Sequence, residues 1–278
     1  MNQSRLSIGR IIRFGLLSLG ALVFAAPYIF MISTAGKSQS EIFSSSLSLV
    51  PETWSYGANV MKALTRVSMP TLLLNGLIVC GLILVIQVVV AIPCAYATAK
   101  LKFRAAKAMM GLVMLGLLVP IHATALPLYV AFDRLAILNS YTALVAPFSI
   151  SVFAIFLFLQ FFRAMPDDLI HAARLDGMSE AGIVARVIVP NAWPAITAFA
   201  IFSVVAHWND LFWPLIVVTN QNYATPPLGL LYFRAAEAGD DYGALMAATL
   251  IITLPLVLAF LAAQKRFIEG ITMTGLKG

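Results

Sequence analysis

Charged residues are the rare event along this chain, and their spacing sets its organisation. Residues 14–36, 71–99, 108–132, 135–162, 187–209 and 242–264 contain no Asp, Glu, Lys or Arg, and each run is at least 23 residues long. A helix crosses the hydrocarbon core of a bilayer with about 20 apolar residues. The pattern therefore predicts an all-α membrane protein with six transmembrane helices, near 12–34, 71–99, 107–131, 140–163, 193–218 and 242–264. Residues 35–69 and 219–241 are read as external loops, the first Ser-rich with Pro51 and Trp54 and expected to hold short helical pieces. The third span carries Pro120 and Pro127, each lacking an amide donor and freeing the carbonyl four residues back. They are seven residues apart and so fall on one helix face. Irregular backbone at membrane depth survives only under protein or beside a wet cavity, so this span is expected to break near the outer surface. No fixed-period repeat or low-complexity linker is visible, and residues 1–278 read as a single transmembrane domain.

Composition agrees: 61% of residues are hydrophobic and 11% charged, against roughly 25% charged in a soluble domain. A mean hydropathy of +0.92 sets aside a soluble enzyme, a nucleic-acid binder and a secreted disulfide scaffold. The net charge of +6 could suggest an acidic partner, but its distribution argues otherwise. With the N-terminus inside, 13 of the 18 basic residues fall on the cytoplasmic side and five, Lys37, Lys62, Arg66, Arg134 and Arg234, outside. That is the positive-inside bias, and it places both termini in the cytoplasm. Cys80 and Cys94 sit about 21 Å apart along one predicted helix, too far for a disulfide. The first span, at 23 uncharged residues, exceeds the 7–15 residue apolar core of a signal peptide and is expected to stay uncleaved.

The charged segment 164–191 is expected to be cytoplasmic. Met165-Pro-Asp-Asp opens a helix with Pro in the first turn and acids at its positive end. Leu169, Ala172, Ala173 and Leu175 follow at helical spacing, and Asp176-Gly177 stops it. Ser179 can cap a second short helix carrying Ile183, Val184 and Val187, ended by Pro190. The small residues Ala172, Ala173 and Gly177 would let another protein approach closely. The residues alone equally admit an amphipathic loop lying on lipid headgroups.

Asp210 is the one clear acid inside a span, roughly 26 Å along a helix entering at Trp193. A charge in hydrocarbon costs at least about 2.5 kcal/mol, which makes such a residue a functional candidate. Asn209, Asp210 and Trp213 share a helical face by i,i+3 and i,i+4 spacing, and an aromatic plane beside amide and carboxylate groups suits a sugar. The same residues could instead glue helices together. With Trp208 and His122 they form the candidate substrate pathway. No Gly-x-x-x-x-Gly-Lys-Ser/Thr loop or His-Glu-x-x-His pair occurs, and no Cys/His cluster suggests a metal.

Several motifs carry a resemblance. Pro166-Asp-Asp-Leu-Ile-His-Ala-Ala-Arg-Leu-Asp-Gly with Ile188-Val-Pro resembles the EAA loop of ABC importer permeases. Leu118-Val-Pro, Leu126-Pro-Leu-Tyr, Trp208-Asn-Asp with Pro214-Leu, Gly239-Asp-Asp-Tyr-Gly and the tail from Gln264 to Gly278 resemble the carbohydrate branch, of maltose and glycerol-3-phosphate type. The resemblance implies the type I importer fold and the role of the smaller of two different permease subunits in the bacterial inner membrane. It further implies a second permease, two ATPase subunits that bind the ATP and magnesium, and an extracytoplasmic sugar-binding protein, with lipid around the chain and no nucleic acid. This chain would itself be non-catalytic and hold no cofactor. His171, Ala172, Ala173, Asp176, Gly177 and Pro190 are the implied ATPase-coupling residues. His171 stands where the family usually has Glu, so an ionic contact there would have to be made differently, His being mostly neutral near pH 7. An ion-coupled secondary transporter is the rival reading. It would normally need midplane acids or an inverted repeat.

Overall fold

The computed structural model describes residues 8–44, 48–101, 103–116, 118–233 and 241–275. Side chains of Ile8, Ile11, Ile121 and residues 265–275 are not among them, and the tail motif at 276–278 and the Gly239-Asp pair lie outside the described residues. Regular structure among the described residues is entirely helical.

The helices are α1 (Ile8–Ala35), α2 (Gln39–Ile42), α3 (Tyr56–Arg66), α4 (Met69–Lys100), α5 (Ala106–Gly116), α6 (Ile121–Arg134), α7 (Tyr141–Val145), α8 (Val152–Ala164), α9 (Asp167–Leu175), α10 (Glu180–Ile183), α11 (Val189–Asn191), α12 (Trp193–Trp208), α13 (Phe212–Val217), α14 (Pro226–Leu230) and α15 (Tyr242–Gly275). α1, α4 and α15 contain stretches long and apolar enough to cross a bilayer. Two bent pairs, α7 with α8 at 45° and the α10–α11 leg with α12 at 77°, are long and apolar enough only when each pair is taken together.

Three expected spans are interrupted, each for a local reason. At 107–131 the chain forms α5 and then α6, with Pro120 in extended conformation capping the start of α6. The expected common face of Pro120 and Pro127 is not formed, because only Pro127 is inside a helix. At 140–163 the sequence Ala-Pro-Phe makes a single 3₁₀ turn, and Ser151 restarts the helix by accepting from the Ala154 amide at 3.1 Å. At 193–218 the helix stops at Trp208 and resumes at Phe212.

The chain divides into two compact units, Met1–Met69 with Leu230–Thr253, and Pro70–Gly229 with Leu254–Gly278. In the first, Asn59 is the keystone. Its amide donates to the carbonyls of Ala35 and Lys37, both at 2.9 Å, satisfying the buried C-terminal end of α1. Tyr56 donates to Ile32 O at 2.9 Å, and Lys37 reaches Ser48 O. The Glu41 carboxylate accepts from the amides of Glu52 and Thr53 and from the Thr53 hydroxyl. Lys62 pairs with Asp241 at 2.9 Å just before α15 begins. Gly243 permits this arrangement, since a Cβ there would lie 2.6 Å from Asn59 Nδ2.

The second unit is built on the aromatic ladder of α8. Phe158, Leu159 and Phe162 are fully buried, with Phe199 of α12 edge-on to Phe158 at 5.5 Å. α4 presents Ala91, Ile92 and Ala95, and α12 presents Ala195 and Ile196, so small side chains face large ones. Deeper along α4, Gln87 accepts from Ser203 at 2.7 Å and donates to Phe148 O at 2.9 Å, which ties α4 and α12 to the kink before α8.

Candidate functional site

The segment between α8 and α12 is a helical hairpin. α9 ends in a complete Schellman motif: Met178 N–H donates to Ala173 O and Gly177 N–H to Arg174 O, each at 3.0 Å. This geometry requires a left-handed residue, and Gly177 supplies it at φ +78°. Ser179 then caps α10, accepting from Gly182 N–H at 3.2 Å.

The hairpin packs on protein. Ile170 and Ala173 from α9 and Ile183 and Ile188 beyond it join the core formed by α4, α8 and α12. Ala173, expected among the contact residues, is therefore turned inward at 6% exposure, because it follows Ile170 by one helical turn. The outward face carries His171, Ala172 and Leu175, with Asp176 and Gly177 at its end. Leu175 is 89% exposed, an unusual state for a leucine beside a packed core.

Polar ties hold the hairpin to α4. The Lys100 side chain, 6% exposed, donates to Met165 O at 2.7 Å and pairs with Asp167 at 2.6 Å. Glu180 accepts from Arg174 Nε at 2.8 Å and from Tyr96 OH at 2.6 Å. Lys100, Asp167, His171 and Arg174 border a cavity of about 370 Å³ beside α9. Sequence reasoning missed Lys100, Tyr96 and Glu180 as site residues. Tyr96 and Lys100 are 84 and 67 residues from their partners, a separation at which no helical or strand periodicity operates.

The second helical leg ends at Asn191, one residue past Pro190. Residues Val184–Ile188 widen into a π turn, which accommodates a proline that has no amide donor and would crowd the carbonyl four residues back. The chain continues through α11 and turns by 77° into α12. Pro190 is exposed on this leg.

The second expected site is rearranged. Asn209, Asp210 and Trp213 do not share a helix face, because the helix breaks between Trp208 and Phe212. Asp210 Oδ1 accepts from Trp213 N–H at 3.3 Å, so the acid satisfies a donor at the start of α13. The Trp213 ring is 2% exposed and its indole N–H donates to Ala143 O at 2.8 Å. It is a core residue and offers no stacking surface. Trp208 is also buried, close enough to Gly76 that a Cβ there would lie 3.1 Å from its ring. Asn209 remains exposed, its amide on Val205 O at 2.8 Å, and Asp210 is half-buried. His122, exposed in the first turn of α6, packs against Phe212 with ring centroids 4.5 Å apart and the rings tilted by 56°. Thus His122, Asn209 and Asp210 form a polar group at a helix break, with the two tryptophans packed behind it.

Residues 87–272 match the family described as binding-protein-dependent transport system inner membrane component. The chain belongs to that family. Membership makes it a multi-pass membrane component that works with other subunits of a transport system. Among curated relatives of this transport component, the arabinooligosaccharides transport system permease protein AraQ of Halalkalibacterium halodurans is 31% identical over 204 residues, 73% of either chain. The sn-glycerol-3-phosphate transport system permease protein UgpE of Pectobacterium atrosepticum is 28% identical over 266 residues, covering 92% of this chain and 93% of that one. The lactose transport system permease protein LacG of Rhizobium radiobacter is 26% identical over 97% of both. A chain from the crystal structure of a bacterial ABC transporter involved in import of the acidic polysaccharide alginate superposes with a TM-score of 0.82 at 20% identity, over 96% of this chain and 99% of that one. The transport component thus has the ABC permease fold.

Proposed function

We propose that this permease translocates a sugar or sugar-like solute, of the oligosaccharide, polyol or glycerol phosphate class, by alternating access in an ATP-driven importer. The observation that carries the mechanism is the hairpin's two-faced build. Its inner face is welded to the helices of the second unit, while Leu175, Ala172 and His171 project outward. An apolar knob flanked by a small residue fits a cleft on a partner, and the Lys100 and Glu180 ties would pass the partner's displacement to α4. In this reading one of two ATPase subunits docks on this face, the pair binds ATP and magnesium, and this chain is non-catalytic. A second, different permease and an extracytoplasmic sugar-binding protein complete the assembly in the bacterial inner membrane, with six spans and both termini cytoplasmic. The substrate class is supported by the arabinooligosaccharide, glycerol-3-phosphate and lactose systems of its relatives. The polar group of His122, Asn209 and Asp210 is proposed to line the pathway.

The deciding experiment is Leu175→Arg, which alters an exposed side chain and leaves the core untouched. Membrane insertion should be normal, while ATPase co-purification, uptake of labelled sugars, or the link between hydrolysis and uptake is lost. Wild-type uptake and sugar-stimulated hydrolysis in this variant would rule out the docking role.

A further inference from the structure

A second groove lies between α5, α8 and the last turns of α4. It has a volume of about 450 Å³ and is lined by Thr98, Lys107, Met110, Gly111, Met114 and Arg163. Lys107, Met110, Gly111 and Met114 are spaced i, i+3, i+4, i+7, so α5 presents them on one face. Lys107 lies in the first turn, and Met114 is about 10 Å further along the axis. Arg163, in the last turn of α8, borders the same groove. Lys107 and Arg163 are exposed and make no ion pair or hydrogen bond among the described residues. Gly111 leaves the floor open: a Cβ there would meet nothing within 4 Å.

We propose that this groove holds one anionic phospholipid, with its phosphate between Lys107 and Arg163 and an acyl chain along Met110, Gly111 and Met114. The order of chemistry along α5, cation first and flexible thioethers deeper, is the order of a lipid from headgroup to tail. Methionine suits a mobile chain because it is unbranched and adaptable. A free inorganic anion would use only the mouth and leave the apolar floor without purpose. Basic side chains beside membrane helices favour anionic headgroups, and neither cation here has a competing carboxylate partner among the described residues. The site is separate from the α9 face and does not depend on the docking role proposed for it.

The test uses the full-length chain extracted in mild detergent with its accompanying subunits. Equal amounts of phosphatidylglycerol and phosphatidylcholine with identical acyl chains are added, and retained lipid is counted by native mass spectrometry. Phosphatidylglycerol should be retained preferentially. Lys107→Gln and Arg163→Gln should each reduce that preference about fivefold. Gly111→Leu fills the floor and should reduce retention with both cations in place, while millimolar inorganic phosphate should displace little lipid. Unchanged retention in the Lys107→Gln/Arg163→Gln double variant overturns the proposal, as does equal retention of the two lipids. Displacement by phosphate together with an inert Gly111→Leu makes the mouth a free-anion site and also overturns it. Should a charge variant fail to assemble, the Gly111→Leu arm decides, since that position has open space.

Discussion

Ala173 and Leu175 sit two residues apart on one short helix and have opposite fates, one in the core and one in the open. The sequence could not assign them, because Leu169, Ile170, Ala172, Ala173 and Leu175 are apolar around most of α9. What decides is the tertiary partner: Ile170 and Ala173 join the core built by α4, α8 and α12, and the rest of the helix follows. This separates two variants that look alike on paper. Gly177→Ala forces a left-handed residue and should cost about 1–2 kcal/mol, seen as a lower Tm of the purified complex. Leu175→Ala should leave Tm unchanged and lower uptake. Trp213 gives a third contrast. Trp213→Phe keeps the packing but leaves Ala143 O without its donor, a loss of about 1–3 kcal/mol. The expected outcome is less assembled complex, with the ranking of transported sugars unchanged when uptake is normalised to it.

Among the elements, breaks were legible only where proline marked them. Pro120 announced the gap between α5 and α6. Pro214 frees the Asp210 carbonyl but marks the gap after Trp208 only weakly, since Asn209 and Asp210 look equally suited to a continuing polar face; it takes Asp210 capping α13 to reveal it. Ties between elements were invisible, because Lys100 meets its partners only after the chain has folded. Lys100→Gln should loosen the start of α9 from α4. Hydrolysis by the assembled transporter should then persist while uptake falls, measured as transported sugar per ATP. In the first unit, the hydrogen bonds from the Glu52 amide and then from Thr53, with Lys37 nearby, hold the Glu41 carboxyl below the usual carboxylate range. A carboxyl lowered in this way contributes fully above its unfolded value and loses its contribution as pH falls through the folded one. Hydrogen-exchange protection of the Glu52 and Thr53 amides should therefore decline on acidification, and Glu41→Gln should be weaker and flat with pH.

For the molecule as a whole, the membrane character and the family motifs were plain in the sequence, while the interruptions hid in it. Only 6% of the apolar window in α1 is buried within the chain, against 33% in α4. Such a helix has most of its surface left for lipid or other subunits. The proposed topology, with both ends cytoplasmic, rests on the 13-to-5 division of basic residues. Cysteines placed at residue 2 or 278, in a chain lacking Cys80 and Cys94, should react with an impermeant maleimide only after the membrane is opened. Labelling of either end in intact cells would refute that arrangement.

In the proposed coupling role, the 77° turn before α12 would set the direction in which force travels. A push along the α10–α11 leg meets α12 nearly at right angles, so it displaces that helix sideways and hardly along its axis. A piston stroke of the same size would drag Asn209 and Asp210 toward the hydrocarbon and strip water from them, against a steep penalty. A lateral swing keeps every residue at its own depth. In such a stroke hydrophobic matching would be preserved throughout, and the membrane would offer little resistance to it.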